Sequence, residues 1–136
     1  RGLVGESIAQ VSRGQRWLRR QAGAGSQMFL DSVLRDAGLT IEPIGEATSE
    51  RQAAALIAMG AADCAPGIRA AAAEFGLEFL PLGQEAFDLV LPRPVYFRTL
   101  FQRLIRALGS PESRKLASLL GGYDLALLGV LRIAGD

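Results

Sequence analysis

Arg20-Gln21-Ala22-Gly23-Ala24-Gly25-Ser26-Gln27-Met28-Phe29-Leu30-Asp31 is a glycine-rich turn that leaves an apolar, strand-like run and opens into an amphipathic helix. A turn of this layout can seat an anion. Gly23 and Gly25 permit φ > 0 and the close approach of a ligand, and Ser26 suits the N-cap of the helix that follows. The first N–H groups of a helix have no intrahelical acceptor, and the positive end of its dipole lies among them, so a small oxyanion or a carboxylate is favoured there. The same glycines also serve a plain chain reversal. The segment alone leaves both readings open.

Outward from this turn, helical and extended patterns alternate. A short helix is expected over roughly Leu3 to Val11, with Leu3, Val4, Ile8 and Val11 inward, followed by a strand from Gln15 to Arg20 centred on Trp17 and Leu18. Phe29, Leu30, Val33, Leu34 and Ala37 recur at helical spacing and Gly38 is placed to close that helix. Thr40 to Glu46 reads as extended, and Thr48 or Ser49 caps a helix running through Ala53, Leu56 and Ile57 to Gly60. A short strand around Ala62 to Ala65, a Pro66-Gly67 turn and an alanine-rich helix from Ile68 to Phe75, closed by Gly76, come next. Leu77 to Leu82 and Phe87 to Leu91 are apolar extended runs. The last third is helical, with Val95 to Leu108 carrying Leu100, Leu104 and Leu108 on one stripe and Pro111 to Leu120 opening on a proline at a favourable first position. Strands alternating with helices predict an α/β domain with a largely parallel sheet.

In such sheets ligands bind beyond the carboxyl ends of the strands. Three junctions there carry suitable groups: Arg20 with Gly23, Gly25, Ser26 and Gln27; Glu46 to Arg51, with the hydroxyls of Thr48 and Ser49; and Cys64 to Arg69, where Pro66 and Gly67 open a backbone turn. Each group also has a plainer role, as a cap or a solvated side chain. Their shared position relative to the sheet is the argument for a site.

Composition removes several classes. The 136 residues, 49% hydrophobic, suffice for one domain with its own core, and 15 Lys+Arg against 14 Asp+Glu leave a net charge of +1, which offers nucleic acid no general attraction. The arginine bias, with Lys115 the single lysine, suits bidentate anion recognition but is also the mark of a GC-rich genome. Histidine is absent, which excludes Ser-His-Asp and Cys-His catalysis and the usual zinc ligands. Cys64 is the only cysteine and reads as a packed thiol. Gly-Ala-Gly-Ser-Gln-Met lacks the third glycine of the dinucleotide fingerprint, and no P-loop occurs. No apolar stretch reaches the roughly 18 to 20 residues of a membrane span, and no cofactor, metal site or catalytic residue is expected.

The turn and its flanks resemble the Arg-Gln-x-Gly-Ser-Gly-Thr-Arg-x-Leu-Leu-Asp segment of the periplasmic-binding-protein-like domain. That domain lies behind helix-turn-helix regions in bacterial regulators, occurs in molybdopterin-biosynthesis fusions and is related to molybdate- and tungstate-binding proteins. Ala58 to Phe75, Gly76 to Leu91 and the closing Gly122-Tyr123-Asp124 fit the same pattern. The resemblance implies the second lobe of a two-lobe, type II binding-protein fold, with a mostly parallel sheet flanked by helices plus C-terminal helices over residues 94–136 of a single 1–136 domain. It implies a small anionic ligand, molybdate-like or a carboxylate, held by Arg20, Gly23, Gly25, Ser26, Gln27, Thr48, Ser49, Pro66 and Gly67. The chain departs from the pattern where Ser26-Gln27 replaces Thr-Arg and where Ser49-Glu50-Arg51 replaces a frequent histidine.

The reading that follows is a ligand-sensing part of a bacterial transcriptional regulator, without enzymatic activity and cytoplasmic, meeting DNA only through a segment outside this chain and no membrane. A periplasmic solute-binding component of a transporter is one alternative. A second is an interaction or homodimerisation module, pointed to by the apolar tail from Leu125 to Ile133. An enzyme using Asp31, Glu46, Asp63 or Asp88 has carboxylates but no nucleophile or metal cluster to accompany them.

Overall fold

A computed structural model describes residues 8–85, 89 and 91–131 of the chain. Contacts divide it into two compact units, Arg1–Gly83 and Gln84–Asp136.

In the first unit, residues 8–12 are helical and lead into strand β1, Trp17–Arg20. Trp17 and Leu18 are buried, Arg19 points out and Arg20 is buried again. Helix α1, Gly25–Ala37, crosses over to β2, Pro43–Ala47, which lies parallel to β1 with a register shift between Trp17 and Leu18. Pro43, with no N–H to donate, sits at the first position of its strand, where a proline is tolerated. Helix α2, Glu50–Ala58, follows, and the chain then returns to the other edge of β1 at Cys64. There the Leu18 N–H donates to the Cys64 carbonyl at 2.9 Å, and the N–H groups of Asp63 and Cys64 donate to the Arg16 carbonyl at 2.8 and 3.2 Å. Helix α3, Arg69–Glu74, completes the described elements of this unit. The result is α/β, a small parallel sheet flanked by helices.

Its core is built from Ile8, Trp17, Leu30 and Leu34, with Val11, Val33, Ala37, Leu39, Ile41, Cys64 and Leu82 packed around them. Ile8 and Val11 are thus inward as expected, whereas Leu3 and Val4 lie outside the described residues. Gly38 closes α1 at φ +67°, and the Leu39 N–H reaches back to the Leu34 carbonyl at 2.9 Å, a pairing that needs the left-handed backbone glycine adopts freely. Gly76 ends α3 with the same bond, Leu77 N–H to Ala72 carbonyl at 2.9 Å.

Several local expectations need correction. Ser26 is not a cap: Ala24 holds that position without a side-chain bond, and Ser26 is the second helical residue. Gly23 takes φ +85°, but Gly25 is the first residue of the helix and does not have positive φ. The strand around Ala62 to Ala65 is a single bridge at Cys64. Leu77 to Leu82 forms no strand and is held by packing, with Leu82 on the core. Just beyond it, the Phe29 ring lies so close to Gly83 that an added Cβ would fall 2.3 Å from it. Most of Phe87 to Leu91, including Asp88, lies outside the described residues.

The second unit contains α4, Arg93–Tyr96, α5, Thr99–Leu108, and α6, Pro111–Leu120. The helix expected from Val95 to Leu108 is broken at Phe97 and Arg98, where Tyr96 stacks edge-on with Phe97 at a centroid distance of 5.1 Å. Ser110 caps α6 by accepting the Ser113 N–H, with Pro111 at the first helical position as the sequence predicts. Leu100, Leu104, Leu108, Leu116 and Leu119 remain exposed. In the tail, Leu127, Val130 and Leu131 are exposed, while Ile133 is outside the described residues. Among the described residues no helix is long and apolar enough to cross a membrane.

Candidate functional site

Parallel strands deliver their carboxyl ends to one edge of the sheet, and in the first unit that edge gathers charged groups from separate stretches of sequence. Arg20 ends β1 with its side chain only 7% exposed. A guanidinium that deep must be compensated, since an isolated buried charge is costly. Its Nε donates to the Ala47 carbonyl at 3.1 Å, where β2 ends, and more weakly to Gln21 Oε1 at 3.3 Å. Its Nη1 lies 2.5 Å from Glu50 Oε1, a close ion pair that compensates the buried charge.

Glu50 is the first residue of α2, and its carboxylate reaches across to the first turn of α1. Ser26 Oγ donates to Glu50 Oε1 at 3.0 Å. The other oxygen, Oε2, is buried with no hydrogen-bond partner and faces Gly67, where an added Cβ would lie 3.2 Å away. Residues from all three junctions therefore converge: Arg20 and Ser26 from the first, Glu50 from the second and Gly67 from the third. The convergence is on a carboxylate that the chain itself supplies.

The remaining expected site residues are placed as follows. The N–H groups of Gly25, Ser26 and Gln27 find no acceptor among the described residues, as the opening turn of a helix dictates. The Gln27 side chain turns inward, accepting the Arg20 N–H at 2.8 Å and donating to Asp31 Oδ1 at 2.8 Å, so its amide braces β1 against α1. Asp31 is committed to that bond. Gly23 is an exposed turn residue. Ser49 is the N-cap of α2, accepting the Gln52 N–H at 3.0 Å, and Gln52 in return accepts from Thr48 N–H and Thr48 Oγ1 at 2.6 and 3.0 Å. Both hydroxyls are thus engaged in a capping arrangement. Pro66 is buried and precedes a helix of only six residues.

The nearby arginines and carboxylates that do not join the cluster have structural partners. Arg51 forks onto Glu74 and ties α2 to α3. Arg69 lies over the Phe79 ring at 4.9 Å. Arg16 grips Asp63 with Nε and Nη2 and also donates to the carbonyls of Gly60 and Ala61, tying the chain after α2 to the start of β1. This fork and the Arg16 backbone N–H hold the Asp63 carboxyl below the usual carboxylate range. Burial, with the Asp63 charge adding to it, pushes the Cys64 thiol up, so it stays protonated and packs as a small apolar group. Among the described residues no group of three or more potential metal ligands gathers.

A cleft of about 180 Å³ opens beside α1, lined by Trp17, Leu18, Leu30, Leu34, Ile41 and Pro43 with Arg19, Gln27 and Asp31. It does not include Arg20, Ser26 or Glu50, so the cluster around Glu50 is a separate place. Glu50 is the residue that sequence reading missed. An acidic first residue after a serine cap is common helix chemistry, and nothing in the spacing announces that it will reach a serine 24 positions earlier.

Neither a comparison with curated proteins nor one with solved structures finds a match. The family model for the PBP superfamily domain, PBP_like, matches residues 3–109. That stretch takes in every element from β1 to α5 and leaves out α6 and the Gly122-Tyr123-Asp124 turn. With most of its length so matched, the chain belongs to the PBP superfamily.

Proposed function

We propose that this chain is the ligand-binding part of a small-anion sensor, and that the anion binds where the carboxyl end of β1 meets the first turn of α1. The observation that carries the reading is Arg20, a guanidinium whose side chain is more than nine-tenths buried and which, with the Ser26 hydroxyl in the first turn of α1, grips a carboxylate, that of Glu50, next to three helix N–H groups without acceptors. Such a set stabilises negative charge by ion pairing, by charge-assisted hydrogen bonds and by the helix dipole together. Among the described residues no group of three or more potential metal ligands gathers beside this set, and the reading we favour is a binder. The candidate ligands are a molybdate-like oxyanion or a small carboxylate. In a regulator, a ligand that binds one conformation better shifts the population towards it, and an attached DNA-binding segment would read that shift.

The test is thermal unfolding of the chain in molybdate, tungstate, sulfate, phosphate, formate and acetate at fixed ionic strength. A ligand at a hundred times its Kd stabilises the folded state by about 2.7 kcal/mol, which a melting curve resolves easily. Ser26→Ala should weaken the responding anion by roughly ten- to a hundredfold, the value of one hydrogen bond to a charged group. The proposal fails if none of these anions raises the melting temperature, or if the response is indifferent to Ser26.

A further inference from the structure

The seat at the mouth of α1 is already filled. Glu50 Oε1 holds both Arg20 and Ser26, and Oε2 lies buried beside Gly67 with no donor of its own. An internal carboxylate is therefore taking the contacts that a ligand would need. We infer that Glu50 is a displaceable resident of the anion site: a small guest carboxylate takes over Arg20 and Ser26 while Glu50 swings to solvent. This rests on the anion-binding reading and specifies its ligand class and its regulation.

Three observations favour exchange over a permanent ion pair. First, the grip on Glu50 is incomplete. Oε2 has no donor, and the N–H groups of Gly25, Ser26 and Gln27 are unused. A guest free of the α2 backbone can orient to use them, whereas Glu50 is limited by its tether. Second, the Glu50 side chain is 26% exposed while that of Arg20 is only 7% exposed, so of the two partners Glu50 is the one nearer solvent and the one that can move. Third, the swap keeps a negative charge against Arg20 at each end point, so the buried cation is never left alone. Once released, Glu50 still sits in the first turn of α2, where a carboxylate is favoured by the helix dipole. The group now held there is a planar carboxylate of one charge, gripped through a single oxygen. That selects a carboxylate over a tetrahedral dianion.

The experiment compares the wild-type chain with Glu50→Gln, which keeps the shape and removes the charge. Formate, acetate and molybdate are titrated at constant ionic strength, with apparent Kd taken from the rise in melting temperature. The expected result is at least a tenfold lower Kd for formate or acetate in Glu50→Gln, with molybdate weaker than either and the gain lost in Glu50→Gln/Ser26→Ala. If circular dichroism shows that Glu50→Gln does not fold, Glu50→Asp, which retains charge but shortens the reach by one methylene, should show a several-fold gain. Equal affinities in wild type and variant would overturn the exchange and make Glu50 a fixed structural partner, with anion binding itself intact. Tighter binding of molybdate than of carboxylates in the variant would overturn the ligand class. Absence of any response in both proteins would remove the anion-binding reading and this inference with it.

Discussion

At the scale of single residues, the described arginines of the first unit divide by what they face. Arg20 is buried and paired with a carboxylate that it does not fully satisfy, whereas Arg16 and Arg51 are exposed forks that fasten one segment to another. The Arg16 fork makes a pH prediction. Asp63 is held below the usual carboxylate range first by the Arg16 side-chain bond and then by the Arg16 backbone bond. A carboxyl with a depressed folded value binds protons more weakly when folded than when unfolded. Its stabilisation is then present above the ordinary Asp value of about 3.9 and disappears as pH falls through the lower folded value. Asp63→Asn should accordingly melt below the wild type at pH 6, and the two melting temperatures should converge as the pH falls through the depressed folded value of Asp63. A gap that persists unchanged into acid would mean that the Arg16 contacts contribute nothing through charge.

At the scale of elements, two serines show how far the sequence can be read. Ser26 and Ser49 both stand where a strand gives way to a helix, and both suit the N-cap by residue type. Ser49 is the cap and accepts the Gln52 N–H; Ser26 lies two residues past its cap and spends its hydroxyl on Glu50. Local chemistry legible in the sequence includes the glycine that ends α1, the proline that opens α6, the parallel character of the sheet and the inward positions of α1. What was not legible depends on partners distant along the chain: the Glu50 carboxylate at the mouth of α1, the inward turn of Gln27, and the reduction of the third strand to one bridge. The difference is measurable in urea. Ser49→Ala should lose about 1 kcal/mol of unfolding free energy at unchanged m-value, because it strips an N-cap. Ser26→Ala removes no cap, so its effect should fall mainly on anion affinity. Equal and large stability losses in both would show that the two serines do the same work.

At the scale of the whole molecule, burial is unevenly divided between the two units. Every described hydrophobic residue that is fully buried, from Ile8 to Ala72, belongs to Arg1–Gly83, and helices α4, α5 and α6 bury none to that degree. Hydrophobic burial is the dominant favourable term in folding, at about 25 cal/mol per Å² of apolar surface removed from water. A unit whose leucines stay exposed therefore opens more readily than one that encloses Trp17, Leu30 and Leu34. Within α5 the arginines do not offset this. Leu100, Leu104 and Leu108 recur every fourth residue on one stripe; Arg106 falls on the opposite side of the helix, and Arg103, three residues after Leu100, only borders the stripe. Hydrogen exchange followed by mass spectrometry should find the slowest amides in β1, in α1 around Leu30 to Leu34 and in α2 around Ala53 and Ala54, with those of α5 and α6 exchanging faster. The proposed anion seat lies wholly in the unit expected to be protected. A ligand bound at Arg20 and Ser26 should then slow exchange in α1 and α2, the elements it bridges, and leave α6 unchanged. Comparable protection across both units without ligand would contradict this division of stability.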